Sequence, residues 1–169
     1  MQVETAHFGR YHRLRSLLFL DASRRALLAV EESPYVLRSG RRWEAFRARG
    51  RGQADLLFVA VDKTPLLTFS TSTVHVFLDS GERAPDFVVH GSYHGGRMTV
   101  CESGGATVAQ IGKTTTVWGA LVGEHTYTVR IMPDIDQAFL LALTVILDQM
   151  NNPDFDRRCY HHSCPNRYS

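Results

Sequence analysis

The sequence is poor in the residues that staple, anchor or catalyse. Its 169 residues hold three cysteines, Cys101, Cys159 and Cys164. A sparse, odd set excludes a disulfide scaffold and suits a reducing compartment. No apolar run reaches the roughly 20 residues that cross a bilayer as a helix, so no transmembrane segment is read. The N-terminus, MQVETAHFGRYHRLRSLL, lacks a continuous apolar stretch closed by a small-residue cleavage site, and no secretory signal is read there. A large excess of one charge is missing too, the formal net being +2. Ser, His and Asp occur without a nucleophile elbow or an H-E-x-x-H motif. The expectation is a non-enzymatic, single-domain, cytoplasmic protein, with a nuclear or peripheral-membrane position as the variants.

What is present centres on Pro133–Asn151, PDIDQAFLLALTVILDQMN. Between Ala138 and Leu147 only Thr144 is polar, and apolar residues fall on every side of a 3.6-residue period. A helix apolar all round is buried or in a membrane, and this run is too short to span one. It reads as a core helix over 134–151, enclosed by the rest of the chain. Asp134 with Gln137 three residues on suits a capping box at its start. Asn151-Asn152-Pro153 stops it, because proline disfavours helical geometry in the preceding residue.

Ahead of the helix the chain reads as about nine or ten short strands. Residues 1–15 show no clear period. Leu17–Leu20 and Ala26–Glu31 flank a turn and suggest a hairpin. Arg41–Arg49 reads as a strand with a basic outer face, and Asp55–Val61 as a strand buried throughout. Leu66–Ser70, Val74–Leu78, Asp86–Gly91, Arg97–Glu102, Thr107–Ile111 and Thr126–Met132 follow at short spacing, with Gly95-Gly96 and Gly104-Gly105 marking turns. Thr115–Leu121 suits a strand or a loop. Strands in this number before one apolar helix suggest an antiparallel sheet curled around it, which also removes exposed edges. The tail 154–169 is polar and aperiodic.

Three stretches, Arg41–Phe46 (RRWEAF), Asp86–Ser92 (DFVVHGS) and Gly123–Asp148 (GEHTYTVRIMPDIDQAFLLALTVILD), resemble the plant LURP-one-related family. Val74–Leu78 resembles a fourth family segment. The resemblance covers residues 14–153 and leaves 1–13 unmatched. It implies a tubby C-terminal-like fold: a closed antiparallel β-barrel of twelve strands around one hydrophobic helix, related to the phospholipid scramblases. Two or three N-terminal strands of that barrel are not recognisable here, which predicts a poorly covered part of the helix or two open strand edges. The resemblance also implies a role in plant defence or stress response.

Charge is uneven along the chain. Residues 1–51 carry eleven arginines and five acids, and the remainder is net acidic. Arg41, Arg42, Arg47, Arg49 and Arg51 form the candidate site. Alternate residues of a strand point the same way, so Arg47, Arg49 and Arg51 suit a row facing a phosphate, for which the planar guanidinium fork is apt. Tubby domains bind phosphoinositide headgroups through basic side chains, and the resemblance extends that to an anionic lipid headgroup or a protein partner here. No nucleic acid is expected as a partner.

Other motifs are weaker. Gly112-Lys113-Thr114 ends like a P-loop, but Thr107 stands where the first glycine belongs, and a hairpin turn fits better. Cys159, His161, His162 and Cys164 crowd into the tail without the paired spacing of a zinc site. Asp134, Asp136 and Asp148 lack a calcium-binding loop. His75, His90, His94 and His125 are scattered in β contexts. Neither a metal nor a cofactor is expected. The expected function is a binding module for anionic phospholipid or a protein partner, and the alternative is a truncated structural or vestigial paralogue.

Overall fold

A computed structural model describes residues 2–7, 15–33, 41–48, 53–65, 71–78, 83–93, 95–114 and 126–151. They form ten strands in chain order: β1 (Gln2–His7), β2 (Arg15–Leu20), β3 (Ala26–Glu32), β4 (Arg42–Arg47), β5 (Leu56–Asp62), β6 (Ser72–Phe77), β7 (Phe87–Ser92), β8 (Arg97–Glu102), β9 (Thr107–Thr114) and β10 (Thr126–Ile131). One helix, α1 (Gln137–Asn151), closes the described part. Every strand pairs antiparallel with its sequence neighbour, so the sheet is an unbroken ten-stranded meander.

Alternation decides the faces. Paired residues share a face, and the inward rows run Leu17–Val30–Ala45–Phe58 and Val74–Val89–Val100–Ala109. These side chains meet Leu140, Leu143, Ile146 and Leu147 of α1 in one continuous core. Strand β5, LLFVAVD, is buried on both faces, because Val59, Val61 and Phe77 make a second cluster on the outer side. Phe139 anchors the helix to the sheet, with its ring edge-on to Phe58 at 5.0 Å and beside Phe87 at 5.2 Å. The stretch that resembles the family signature is thus largely a packing surface.

Gly91 shows why DFVVHGS carries a glycine. Its φ is +147°, and a Cβ there would lie 2.3 Å from the Arg97 carbonyl oxygen on β8. Only glycine allows that approach.

Three expectations need correction. The closed barrel is not formed by the described residues: β1 and β10 are the ends of the sheet and share no ladder. Closure requires the backbone groups of the last strand to meet those of the first. Second, residues 2–7, without a clear period in sequence, form β1 through backbone pairing with β2. Third, the helix begins at Gln137 and Asp136 is its N-cap, its carboxylate accepting from the Phe139 N–H at 3.0 Å. Asp134 sits two residues earlier at φ +69°, a left-handed position that aspartate tolerates. The expected strand 66–70, the region 115–121, the C-terminal tail and its Cys/His cluster lie outside the described residues.

Candidate functional site

The arginine strand separates by function along its length. Arg41 reaches inward at the C-terminal end of α1. Its Nε donates to Glu32 at 2.9 Å, and its Nη1 donates to the Gln149 and Met150 carbonyl oxygens at 3.1 and 2.7 Å. Those are among the last carbonyls of the helix, which lack intrahelical donors and carry the negative end of its dipole. Arg41 is therefore a C-terminal cap, supplied from a residue 109 positions away in sequence.

Arg42 points outward and forms an ion pair with Glu44, two residues along the same strand, at 2.9 Å. Arg47 lies at the opposite end of β4, about 17 Å from Arg42 at ~3.4 Å per residue. It is exposed. Arg49 and Arg51 lie outside the described residues. Of the three described arginines, Arg41 is committed to the helix and Arg42 to Glu44, and Arg47 stands apart from both.

Arg47 has other company. Leu28 on β3 is its cross-strand partner, and the Ala48 N–H donates to the Leu27 carbonyl at 3.3 Å. This places Arg47 beside the β2–β3 turn, where Arg24 and Arg25 are both exposed. The turn is preset by Asp21, whose carboxylate accepts from the Ser23 and Arg25 N–H groups at 2.7 and 2.8 Å, while Arg24 takes a left-handed φ of 60°. Leu27, 46% exposed, lies near the start of β3 and by alternation faces away from Leu28 and Arg47. The sequence carried this signal as the dipeptide Arg24-Arg25 inside a hairpin turn, but nothing local tied it to Arg47.

A second polar group gathers at the far end of the fold. Tyr93 and Tyr127 both donate to Oδ1 of Asp148 at 2.5 Å, and their hydroxyls lie 3.1 Å apart. Burial, then the bonds to Asp148, push both phenols well above the ordinary tyrosine value. Lys113, opposite Tyr127 in the β9–β10 ladder, places its Nζ 4.0 Å from the centre of the Tyr93 ring. Burial lowers its ammonium, and Asp148 acts in the opposite direction. Gly112-Lys113-Thr114 is thus strand, not a hairpin turn. The cluster ties β7, β10 and α1 together, and its donors are spent on Asp148.

The helix aspartates do not converge. Asp136 and Asp148 stand at opposite ends of α1, about 18 Å apart at ~1.5 Å per residue. Among the described residues no group of three His, Cys, Asp or Glu side chains is placed to hold a metal ion. His75 is lowered mainly by burial and secondarily by Lys63 and His90. His94, His125, Cys159 and Cys164 lie outside the described residues. No described helix is long and apolar enough to cross a membrane.

Among the described residues, an antiparallel meander sheet packed on one C-terminal apolar helix defines a mainly β scaffold class of protein. Comparison places it more narrowly: the family model described as LURP-one-related matches residues 1–148, and the chain belongs to that family. It is 33% identical to LURP-one-related 15 of Arabidopsis thaliana over 141 residues, covering 81% of this chain and 63% of that protein. LURP-one-related 10 of the same plant is 30% identical, with 81% and 71% covered. A crystal structure of an Arabidopsis thaliana protein matches with a TM-score of 0.60 at 29% identity, over 88% of this chain and 76% of that one. The chain therefore spans less than two thirds of the first of these relatives.

Proposed function

We propose that this protein is a non-enzymatic binding module that engages anionic phospholipid headgroups, phosphoinositides included, at a membrane surface. The observation that carries this reading is the end of the sheet where the exposed Arg24 and Arg25 of the β2–β3 turn and the exposed Arg47 of β4 lie. Three guanidinium groups supply the fork geometry that phosphate oxygens accept. The exposed Leu27, two residues after Arg25, adds the apolar contact that a headgroup layer rewards. Arg49 and Arg51 follow in sequence and add two positive charges to this part of the chain. The tightly packed core, and polar clusters whose bonds are internally satisfied, support binding over catalysis. A setting in plant defence or stress response, as the family resemblance implies, belongs to this proposal.

Flotation with phosphatidylcholine vesicles, with and without added phosphoinositide, tests it. The expected result is binding that requires the anionic lipid and weakens with salt. Cations near such a surface contribute about 1 kcal/mol each. Replacing all three arginines by alanine should therefore weaken binding by roughly a hundredfold, since ~1.4 kcal/mol is tenfold. Arg97→Ala and Arg130→Ala, on the opposite part of the sheet, should leave it unchanged. Equal binding by the triple variant, or binding to neutral vesicles alone, overturns the assignment of the tip.

A further inference from the structure

The outer face of the sheet carries a cationic cluster away from the arginine strand. Val74 and Val89 pack in the core, so their neighbours Thr73, His75 and His90 on β6 and β7 face outward. Thr73 and His90 are directly opposed, and His75 lies on the diagonal of His90. Lys63 follows β5 directly and stands opposite Thr73, its N–H donating to the Thr73 carbonyl oxygen at 2.8 Å. It is two residues past Val61 of the outer apolar cluster and so shares the outer face. Opposed side chains start about 5 Å apart and diagonal ones about 7–8 Å. Lys63, His75 and His90 therefore surround the Thr73 hydroxyl on three sides.

The cluster is pinned from below. The Thr73 N–H donates to Thr64 Oγ1 at 3.1 Å, and the Thr64 N–H donates to Asp62 Oδ1 at 2.9 Å. These bonds fix the backbone bend that carries Lys63. The His75 ring packs 6.3 Å from the ring of Phe77. Lys63 and His90 are exposed, and Thr73 and His75 are half-buried. Among the described residues Lys63 forms no ion pair. The connecting sequence 66–70, LLTFS, brings no charge. On β8, Arg97 lies on the other diagonal of His90, away from His75, and Cys101 is opposite Val88. On β4, Arg42 is opposite Val61 and is paired with Glu44.

We propose that Lys63, His75, His90 and the Thr73 hydroxyl hold a phosphate monoester on the outer face of the sheet. An ammonium, two imidazoles and a hydroxyl all donate to phosphate oxygens. Donors converging from three sides match the three terminal oxygens of a monoester. Neutral imidazoles offer one N–H each, and imidazoliums add charge, so affinity rises as pH falls. His75 takes up its proton at lower pH than an ordinary histidine, because burial, then Lys63 and His90, oppose the charge. A bound anion offsets that opposition. This inference does not depend on lipid binding by Arg24, Arg25 and Arg47, because Arg47 and Lys63 stand at opposite ends of the strands.

The probes are glycerol phosphate and sulfate, with ionic strength held constant by chloride, and the readout is histidine ring resonances of the full chain. Glycerol phosphate should move two of the eight histidines and raise the pH at which they titrate. His75→Gln and His90→Gln each remove one of these signals and assign it. Sulfate stays a dianion, whereas the monoester titrates near pH 6. Sulfate should therefore report the protein alone and bind about tenfold more tightly at about pH 5.5 than at about pH 7.5. Lys63→Ala should weaken both anions by about tenfold. Lys63 and His90 are exposed, so their variants test recognition with the fold retained. Flotation of Lys63→Ala on phosphoinositide vesicles distinguishes the sources. Weakened flotation assigns the monoester to a lipid headgroup, and unchanged flotation assigns it to a soluble molecule. Three results overturn the proposal: chloride moves the same histidines equally, all eight histidines respond alike, or Lys63→Ala and His90→Gln bind both anions as before.

Discussion

Asp148 takes two phenol hydroxyls on a single carboxylate oxygen, and the consequence is an alkaline limit on stability. Tyr93 and Tyr127 are both held above the ordinary value of 10.0 in the folded protein. In the unfolded chain they ionise near that ordinary value. Above it the unfolded chain binds fewer protons than the folded one, so the stabilisation is complete below about pH 10 and is lost as pH rises further. Phenolate absorbance should show two of the six tyrosines titrating only as the protein unfolds. Replacing both by phenylalanine should lower stability at neutral pH and flatten its alkaline decline. Normal titration of all six in the folded state would contradict the geometry. Trp43 is a different residue-scale case. It is fully buried, and its indole N–H has no partner among the described residues. Such an N–H costs about 1–3 kcal/mol, which burial of the large ring more than offsets.

The helix is held at both ends by aspartate and arginine, and neither is the residue that simple spacing favours. At the N-terminus, Asp136→Ala should cost about 1 kcal/mol, the usual loss for a removed cap. Asp134→Gly should be neutral within about 0.5 kcal/mol, because glycine accepts the positive φ at some cost in chain entropy. At the C-terminus, Arg41→Ala strips donors from two helix carbonyls and leaves Glu32 without its partner. A loss of about 1–3 kcal/mol is expected. Arg47→Ala, by contrast, should stay within about 0.5 kcal/mol, as for most surface positions. Chemical denaturation of the four variants checks all of this. Equal effects at Arg41 and Arg47 would mean that the contacts to Gln149 and Met150 contribute nothing.

At the scale of the whole molecule, one core joins β2 through β10 to α1. The helix cannot leave without exposing nearly every inward row, so unfolding should be a single cooperative transition. Leu143, at 0% exposure, sits at the centre of that core. Leu143→Ala should cost about 2–5 kcal/mol and move the thermal midpoint without splitting it. Two separate transitions by circular dichroism would show that the halves of the meander fold independently. The exposed arginines Arg24, Arg25 and Arg47 lie at the β2–β3 end, and the tyrosine cluster lies at the C-terminal end of the helix.

The amino-acid sequence by itself determined the elements. The apolar run Ala138–Leu147 had to be a helix packed into the core, and among the described residues only Leu141 in that run is exposed, at 37%. The alternation in strands such as Val74–Leu78 had to place one face against it. Those signals are local and periodic, and the family resemblance rests on the same residues. Only the tertiary structure decided which polar residues are free. Arg41 and Arg47 look alike in sequence, yet one caps a helix more than a hundred positions away and the other meets solvent beside Arg24 and Arg25. Asp134 and Asp136 compete for one cap, and the backbone path settles it. Whether the sheet closes is likewise set by how far ten strands travel around the helix, a property of twist and register summed over the whole chain and carried by no single residue.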